Sequence, residues 1–205
     1  MRFILCMLAA FAVCPLFGEA QSEEYALLRK RAEEGAFVFV LPIDHTVQPL
    51  CSLAVTVPKK YKPLQPLESF SPAQSRMIEF IPESENDPYG WSEIITINKY
   101  LGSRTSADLF MNRILRSMIS KMEECRVLVH SSSKEGAVEE ARFLIQYKLR
   151  GQQEVLGVVY FSGPYDCVGM QYTVRPKAGQ SVADAVFQVE AFLKKNCQKA
   201  AMPKF

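Results

Sequence analysis

Histidine is scarce in this chain of 205 residues, which has only His45 and His130. A cysteine thiol needs a nearby base to form a thiolate near neutral pH. The conceivable nucleophilic pairs are therefore Cys51 with His45 and Cys51 with His130. No motif typical of a cysteine hydrolase surrounds Cys51. We interpret both histidines as ordinary surface residues and predict no catalytic residue.

Spacings typical of metal sites are also missing. After residue 20, no two cysteines lie within four residues of each other, whereas zinc sites pair their ligands at such short spacing. The acidic run 83–87 offers oxygen atoms that could bind calcium. Its order does not follow the spaced pattern of an EF-hand loop. We therefore predict a solvated turn at this position, no metal site and no cofactor.

An excess of one charge is absent as well. The chain has 24 Lys and Arg residues against 22 Asp and Glu residues, which gives a formal net charge of +2. Nucleic-acid binding usually needs a clustered basic face. The short basic runs at 29–31 and 59–62 are more typical of solvated surfaces. We predict no nucleic-acid partner.

Long apolar runs are confined to the beginning of the chain. Arg2 precedes the almost wholly apolar stretch 3–17, and the small residues Gly18 and Ala20 follow it. This pattern predicts a secretory signal peptide cleaved after Ala20. The stretch is shorter than the roughly 20 residues of a membrane span; uncleaved anchoring and lipidation at Cys14 are the alternatives. We expect an exported protein, periplasmic or secreted, without a membrane span after cleavage.

The predicted compartment changes the interpretation of the cysteines. Four would remain after cleavage, and in an oxidising compartment they suggest two disulfides with three possible pairings: Cys51, Cys125, Cys167 and Cys197. A strand at 167–175 and a helix at 182–197 have comparable lengths. A tight turn between them would bring Cys197 near Cys167, which leaves Cys51 with Cys125 by elimination. The alternation of the strand opposes this pairing, since it places Cys167 on the face away from the apolar residues.

Periodicity and capping residues predict three helices, at 22–34, 103–124 and 182–196. Runs rich in proline or polar residues predict loops at 59–74 and 131–140. Short apolar or alternating runs predict the strands: 37–41, 50–57, 76–82, 93–99, 126–130, 141–149, 153–161 and 166–174.

The order of these elements predicts an α+β fold, an antiparallel β-sheet with flanking helices. Three segments carry a resemblance to a known family: the strand and basic turn at 53–62, the isoleucine strand with the helix at 106–122, and the three-stranded meander with its closing helix. Their order resembles the PsbP-like fold family, which a Ran-binding nucleotide-release factor shares. The resemblance covers roughly residues 50–198. It implies an α-β-α sandwich and a binding or accessory role without catalysis.

We divide the chain into three parts on this basis. Residues 1–20 form the signal peptide, residues 21–49 an N-terminal extension of one helix and one strand, and residues 50–205 the α+β domain. The extension lies outside the resemblance. The length after cleavage is typical of a single domain.

Two turns carry aromatic residues in exposed-looking positions, Tyr89 with Trp91 and Phe161 with Tyr165. Such residues anchor protein interfaces; the alternative is that they pack onto the core. We expect an exported, non-enzymatic accessory or protein-binding domain whose protein partner and oligomeric state the sequence leaves open. The alternative function is a secreted hydrolase that uses a free cysteine or the acidic loop.

Overall fold

The computed structural model describes residues 23–43, 51–65, 76–87 and 89–200. The predicted signal peptide and His45 lie outside these ranges. Within them the chain forms three helices, α1 (Glu23–Glu33), α2 (Ala107–Ile119) and α3 (Val182–Asn196). It also forms ten strands: β1 (Phe37–Ile43), β2 (Cys51–Val57), β3 (Tyr61–Pro63), β4 (Arg76–Pro82), β5 (Glu93–Tyr100), β6 (Glu123–Glu135), β7 (Val138–Leu149), β8 (Gln152–Ser162), β9 (Cys167–Val174) and β10 (Cys197–Ala200).

The strands form two antiparallel sheets. The larger has the order β3-β4-β5-β9-β8-β7-β6, and the smaller has the order β1-β2-β10. Helix α2 packs on one face of the seven-stranded sheet, and α3 with the small sheet packs on the other. We call these the α2 face and the α3 face. The prediction of an α+β fold with an antiparallel sheet and flanking helices is confirmed.

Helix α2 begins and ends inside the predicted range. The hydroxyl of Ser106 accepts a hydrogen bond from the Leu109 N–H at 3.2 Å and caps the helix. Ala107, Met111 and Leu115 recur every fourth residue and are buried against the sheet. This stripe fixes which side of α2 faces the core.

Helix α3 matches the predicted bounds. Ser181 and Asp184 form a reciprocal capping box at its first turn. The helix lies so close to the sheet that a Cβ atom on Gly157 would come within 2.5 Å of Val189 Cγ1 and 2.6 Å of Leu193 Cδ1. Glycine at position 157 therefore permits this close helix–sheet packing.

The loop predicted at 131–140 is wrong. Strand β6 continues to Glu135, Gly136 turns the chain with a φ of 60°, and β7 begins at Val138. The polar run that suggested a loop, Ser131 to Ser133, lies exposed on a strand at the edge of the sheet. Its polarity reflects exposure to water rather than irregular backbone.

Several short elements were not predicted, because they depend on pairing with distant segments. Strand β10 follows α3 directly and pairs with β2, and β3 pairs with β4. Strand β1, which the sequence analysis placed in the N-terminal extension, pairs with β2 over its whole length from Phe37 to Ile43.

None of the described helices is long and apolar enough to cross a membrane.

The predicted disulfides are wrong in this structure, where all four cysteines are free thiols. Cys167 is buried on the α2 face, whereas Cys197 is buried on the α3 face. Cys51 lies on the α3 face, whereas Cys125 packs on the α2 face. The seven-stranded sheet therefore separates the members of each predicted pair. The alternation of β9, which opposed the first pairing, indicated the correct face for Cys167.

Candidate functional site

Arg175, which directly follows β9, joins the sheet to the loop between β4 and β5. Its Nε donates to Oε1 of Glu154 at 2.9 Å, and Glu154 is only 2% exposed. Its Nη1 donates to the main-chain carbonyls of Tyr89 at 2.8 Å and Trp91 at 2.9 Å. The guanidinium carbon also lies 3.6 Å from the centre of the Trp91 ring, a cation–π contact. One side chain thus binds this loop at Tyr89 and Trp91, and we call the cluster of Arg175, Glu154, Tyr89 and Trp91 the Arg175 site.

The acidic residues of the loop serve its own backbone. Glu85 accepts hydrogen bonds from the N–H of Ser92 at 3.0 Å and from its hydroxyl at 2.5 Å. Asp87 accepts one from the N–H of Tyr89 at 2.8 Å, which closes an Asx turn. No group of three or more His, Cys, Asp or Glu side chains suited to a metal ion occurs among the described residues. The loop geometry is that of a self-bonded turn.

The second oxygen of Glu154 is also occupied. The Tyr147 hydroxyl donates to Glu154 Oε2 at 2.5 Å, and both side chains are buried. Burial, followed by the negative charge of Glu154, raises the pKa of Tyr147 far above its usual range. Tyr147 therefore remains a hydrogen-bond donor. Tyr147 and Arg175 thus give each oxygen of the buried carboxylate a donor, and Arg175 also supplies the opposite charge that a charge in a core requires.

A second buried carboxylate lies at the same end of the sheet, on the α3 face. Glu93, at the start of β5, accepts hydrogen bonds from the Tyr172 hydroxyl at 2.6 Å, from the Tyr61 hydroxyl, and from Lys60 Nζ at 3.4 Å. Burial by itself raises the pKa of Glu93, but the hydrogen bonds from Tyr172 and Tyr61 and the charge of Lys60 outweigh it and lower the pKa below its usual value. Glu93 is therefore ionised.

A chain of amides connects this carboxylate to the beginning of α3. Gln188 donates to the Tyr172 hydroxyl at 2.9 Å, and Gln180 donates to Gln188 at 3.0 Å. The two glutamines line an open groove of about 290 Å³, together with Ser92, Glu93, Val174, Arg175 and Lys177. The groove therefore adjoins the Arg175 site, and its lining is held in place by internal hydrogen bonds.

The four predicted interface residues do not form one surface. Tyr89 is 84% exposed, and Trp91 is partly buried beneath Arg175. Tyr165 is 39% exposed but lies before β9, whereas Arg175 follows it, so the full strand separates it from the Arg175 site. Phe161 is 1% exposed and packs in the core of the α3 face. Phe161 cannot contact a partner and is removed from the predicted interface.

The residues that build the site were not found from the sequence. Glu93, Glu154 and Arg175 stand at or beside the ends of apolar strands, where charged residues are ordinary. Their partners Tyr61, Tyr147 and Tyr172 come from three different strands. The one available signal is Glu154, an acidic residue directly before the apolar run 155–161 of β8.

The catalytic pair of Cys51 with His130 is absent. Cys51 is buried on the α3 face, whereas His130 Nε2 lies 2.9 Å from Asp108 Oδ1 on the side of α2. Burial raises the pKa of the Cys197 thiol to about 12 and the pKa of the Cys167 thiol further. Desolvation likewise raises the pKa of the Cys125 thiol. These environments disfavour a nucleophilic thiolate.

No protein-family model matches the chain, and neither does any curated protein. Similar solved structures include both proteins named by the resemblance. The Ran-binding protein Mog1p of Saccharomyces cerevisiae is 11% identical, with 80% of this chain and 95% of that chain covered and a TM-score of 0.45. The cyanobacterial PsbP, CyanoP, of Synechocystis sp. PCC 6803 is 7% identical, with 68% of this chain and 84% of that chain covered and a TM-score of 0.42.

LpqN of Mycobacterium tuberculosis, a protein involved in cell envelope biogenesis, is similar as well. It is 9% identical, with 86% of this chain and 96% of that chain covered and a TM-score of 0.46. All three scores lie below 0.5. At these identities and scores the similarity concerns the fold alone.

Proposed function

We propose that this chain is an exported, non-enzymatic accessory domain that binds another protein through the Arg175 site, with Tyr89 as the principal contact. The observation that carries the proposal is the contrast between the backbone and the side chain of Tyr89. Its carbonyl and its N–H are both hydrogen-bonded, to Arg175 and Asp87, while its side chain is 84% exposed. Because the backbone at Tyr89 is already fixed, binding there costs less conformational entropy than binding to an unordered loop.

Large aromatic residues surrounded by polar rims dominate the binding energy of protein interfaces. The groove beside Arg175, whose guanidinium binds the Tyr89 carbonyl, is lined by the polar side chains of Gln180, Gln188 and Lys177. Hydrogen bonds fix the glutamines, so the surface that a partner would meet is already formed. These features support a rigid docking surface.

The chemistry of the site supports a binding role over a catalytic one. Both oxygens of Glu154 are occupied, and Glu93 is held ionised by three donors. A general acid or base needs an exchangeable proton within reach of a substrate. Among the described residues, neither carboxylate is hydrogen-bonded to a serine, threonine or cysteine side chain.

The test is affinity recovery of partners from the native compartment with the mature protein as bait. We expect Tyr89→Ala to lose the protein that the unchanged bait recovers. Leu109→Ala is the matched control, since Leu109 is an exposed apolar residue on α2, outside the loop and outside the groove. If the Tyr89→Ala bait recovers as much of the partner as the unchanged bait does, the partner does not bind at Tyr89.

Export is tested separately, because it depends on the leader pattern at 2–20 and not on the site. We expect N-terminal sequencing of the native protein to begin at Gln21. Native material that begins at Met1 would contradict export by this route while leaving the binding site untouched.

A further inference from the structure

The buried carboxylate of Glu93 uses one of its two oxygens within the protein. Its Oε2 accepts hydrogen bonds from Tyr172 at 2.6 Å, from Tyr61, and from Lys60 at 3.4 Å, whereas no described residue donates to Oε1. The side chain is only 10% exposed. Oε1 is nevertheless not one of the buried side-chain atoms that lack a partner in the described part of the chain, so it reaches solvent. Glu93 lines the groove beside the Arg175 site and brings a free acceptor to it.

Arg175 lines the same groove and has a free donor. Its Nε and Nη1 are occupied by Glu154 and by the two loop carbonyls. Its Nη2 carries two further hydrogens, and no described residue accepts from it. Arg175 follows Val174, which pairs directly with Glu93 across β9 and β5. The residues that carry the free acceptor and the free donor are therefore neighbours at this end of the sheet.

The charges of both residues are already balanced within the protein. Glu93 lies 3.4 Å from Lys60, and Arg175 lies 2.9 Å from Glu154. Lys177, which also lines the groove, is exposed to water. A further ion would meet charges of both signs and gain little. The two free atoms instead match a neutral ligand that donates one hydrogen bond and accepts another.

The main chain of an extended peptide is such a ligand. In an extended strand, the N–H and the C=O of one residue point to the same side. The groove has a volume of about 290 Å³ and is open, whereas pockets for small molecules typically enclose about 300–1,000 Å³. Its size and open form suit a short stretch of chain better than an enclosed small molecule.

We propose that the groove binds an extended segment of the partner protein through its main chain, with one N–H donating to Glu93 Oε1 and the carbonyl of the same residue accepting from Arg175 Nη2. This inference rests on the proposed protein-binding function and specifies which groups of the partner are recognised. Tyr89 adjoins this position, since its carbonyl is bound by Nη1 of the same guanidinium. The main-chain contacts and the aromatic contact thus belong to one continuous surface.

The test uses the mature protein and two capped pentapeptides of the sequence Ala-Ala-Tyr-Ala-Ala. One is unmodified; in the other every main-chain nitrogen is methylated, which removes the N–H groups and keeps the carbonyls. We expect NMR titration with the unmodified peptide to shift the backbone amide of Glu93 and the Nε–H of Arg175 in a saturable manner. The methylated peptide should bind at least about tenfold more weakly, because no N–H then reaches Glu93 Oε1.

Glu93→Gln tests the acceptor directly. The tyrosine hydroxyls can still donate to the amide oxygen, so the amide NH2 takes the place of Oε1 and presents a donor where the peptide needs an acceptor. We expect this variant to bind the unmodified peptide about tenfold more weakly or worse, with far-UV circular dichroism unchanged. Glu123→Gln is the matched control and should leave binding intact, since Glu123 is an exposed acid on β6 at the far edge of the sheet.

Three results would overturn the proposal: no binding of either peptide, equal binding of both, or unchanged binding by Glu93→Gln. The recovery experiment with Tyr89→Ala separates this inference from the proposed function. If Tyr89→Ala loses the partner while the two peptides bind equally, the groove inference fails and the proposed function stands. If peptide binding depends on the N–H groups and on Glu93 while Tyr89→Ala still recovers the partner, the contact at Tyr89 fails and the groove remains a binding site.

Discussion

Replacing Arg175 by methionine should destabilise the protein strongly, although residue 175 lies at the end of a strand. The change leaves Glu154, which is 2% exposed, with Tyr147 as its remaining donor. It also removes the donor from two loop carbonyls. Removing one member of a buried ion pair typically costs about 3–5 kcal/mol, because the other charge stays buried without compensation. We expect the free energy of unfolding to fall by about this amount.

Urea unfolding of the mature protein, followed by tryptophan fluorescence and circular dichroism, measures this loss. Trp91 lies directly beneath the guanidinium, so its emission also reports the loop. The control is the double variant Arg175→Met with Glu154→Gln, in which the neutral amide can still accept from Tyr147. We expect the double variant to recover at least about 1–2 kcal/mol of the loss, since no charge is then left buried.

Two results would refute this reasoning. If Arg175→Met costs less than about 1 kcal/mol, the pair with Glu154 behaves as an exposed ion pair. If the double variant is no more stable than the single one, the uncompensated carboxylate is not the source of the loss. Arg175→Lys should fall between the two extremes, because an ammonium keeps the charge but cannot reproduce the planar fork that reaches Glu154 and both carbonyls.

Three further predictions concern titratable side chains. Lys99 is 0% exposed and its ammonium group has no hydrogen-bond partner; burial lowers its pKa, although the charge of Asp166 opposes this shift. Because the pKa is lower in the folded than in the unfolded protein, the free energy of unfolding should rise with pH between these two values. Urea unfolding should find Lys99→Met more stable than the unchanged protein by about 1 kcal/mol at pH 7, with a smaller gain near pH 10. A less stable Lys99→Met would contradict this. The pKa of Glu93 is lowered on folding, so its contribution to stability is present above the unfolded pKa and is lost as the pH falls through the folded pKa. Thermal unfolding between pH 7 and pH 3 should therefore show a smaller loss of stability for Glu93→Gln than for the unchanged protein. An equal loss in both would count against the stabilisation of Glu93 by its tyrosine hydrogen bonds. Thiol titration of the unreduced, denatured mature protein should find four free thiols, and two or none would restore a disulfide.

Local chemistry made much of the secondary structure predictable. Helix α3 matches its predicted bounds because Ser181 and Asp184 cap it and its apolar residues keep one period. Strand β4 matches as well, since Pro82 ends its apolar run. By contrast, the strand predicted at this place ended at His130, whereas β6 continues to Glu135, because serines usually indicate a loop. On an edge strand the neighbours that would require apolar side chains are missing, so the pattern fails there.

The candidate site depended on pairing that no local pattern contains. The turn suggested Tyr89 as an interface candidate, with packing onto the core as the alternative, and its side chain is 84% exposed in the structure. Phe161 has the same kind of neighbours in sequence and is buried, because β8 carries it beneath the small sheet and α3. Whether an aromatic residue lies at the surface thus depends on the layer above it.

The sequence by itself determined the α+β class, the two long amphipathic helices and the meander, because alternation and helical spacing are properties of neighbouring residues. It also determined the leader-like pattern of the first twenty residues. Only the tertiary structure decided that the sheet separates the cysteines, that Arg175 joins Glu154 to the loop, and that β6 is an open edge. These features join residues tens of positions apart, and their energies exist only once the strands have paired and excluded water.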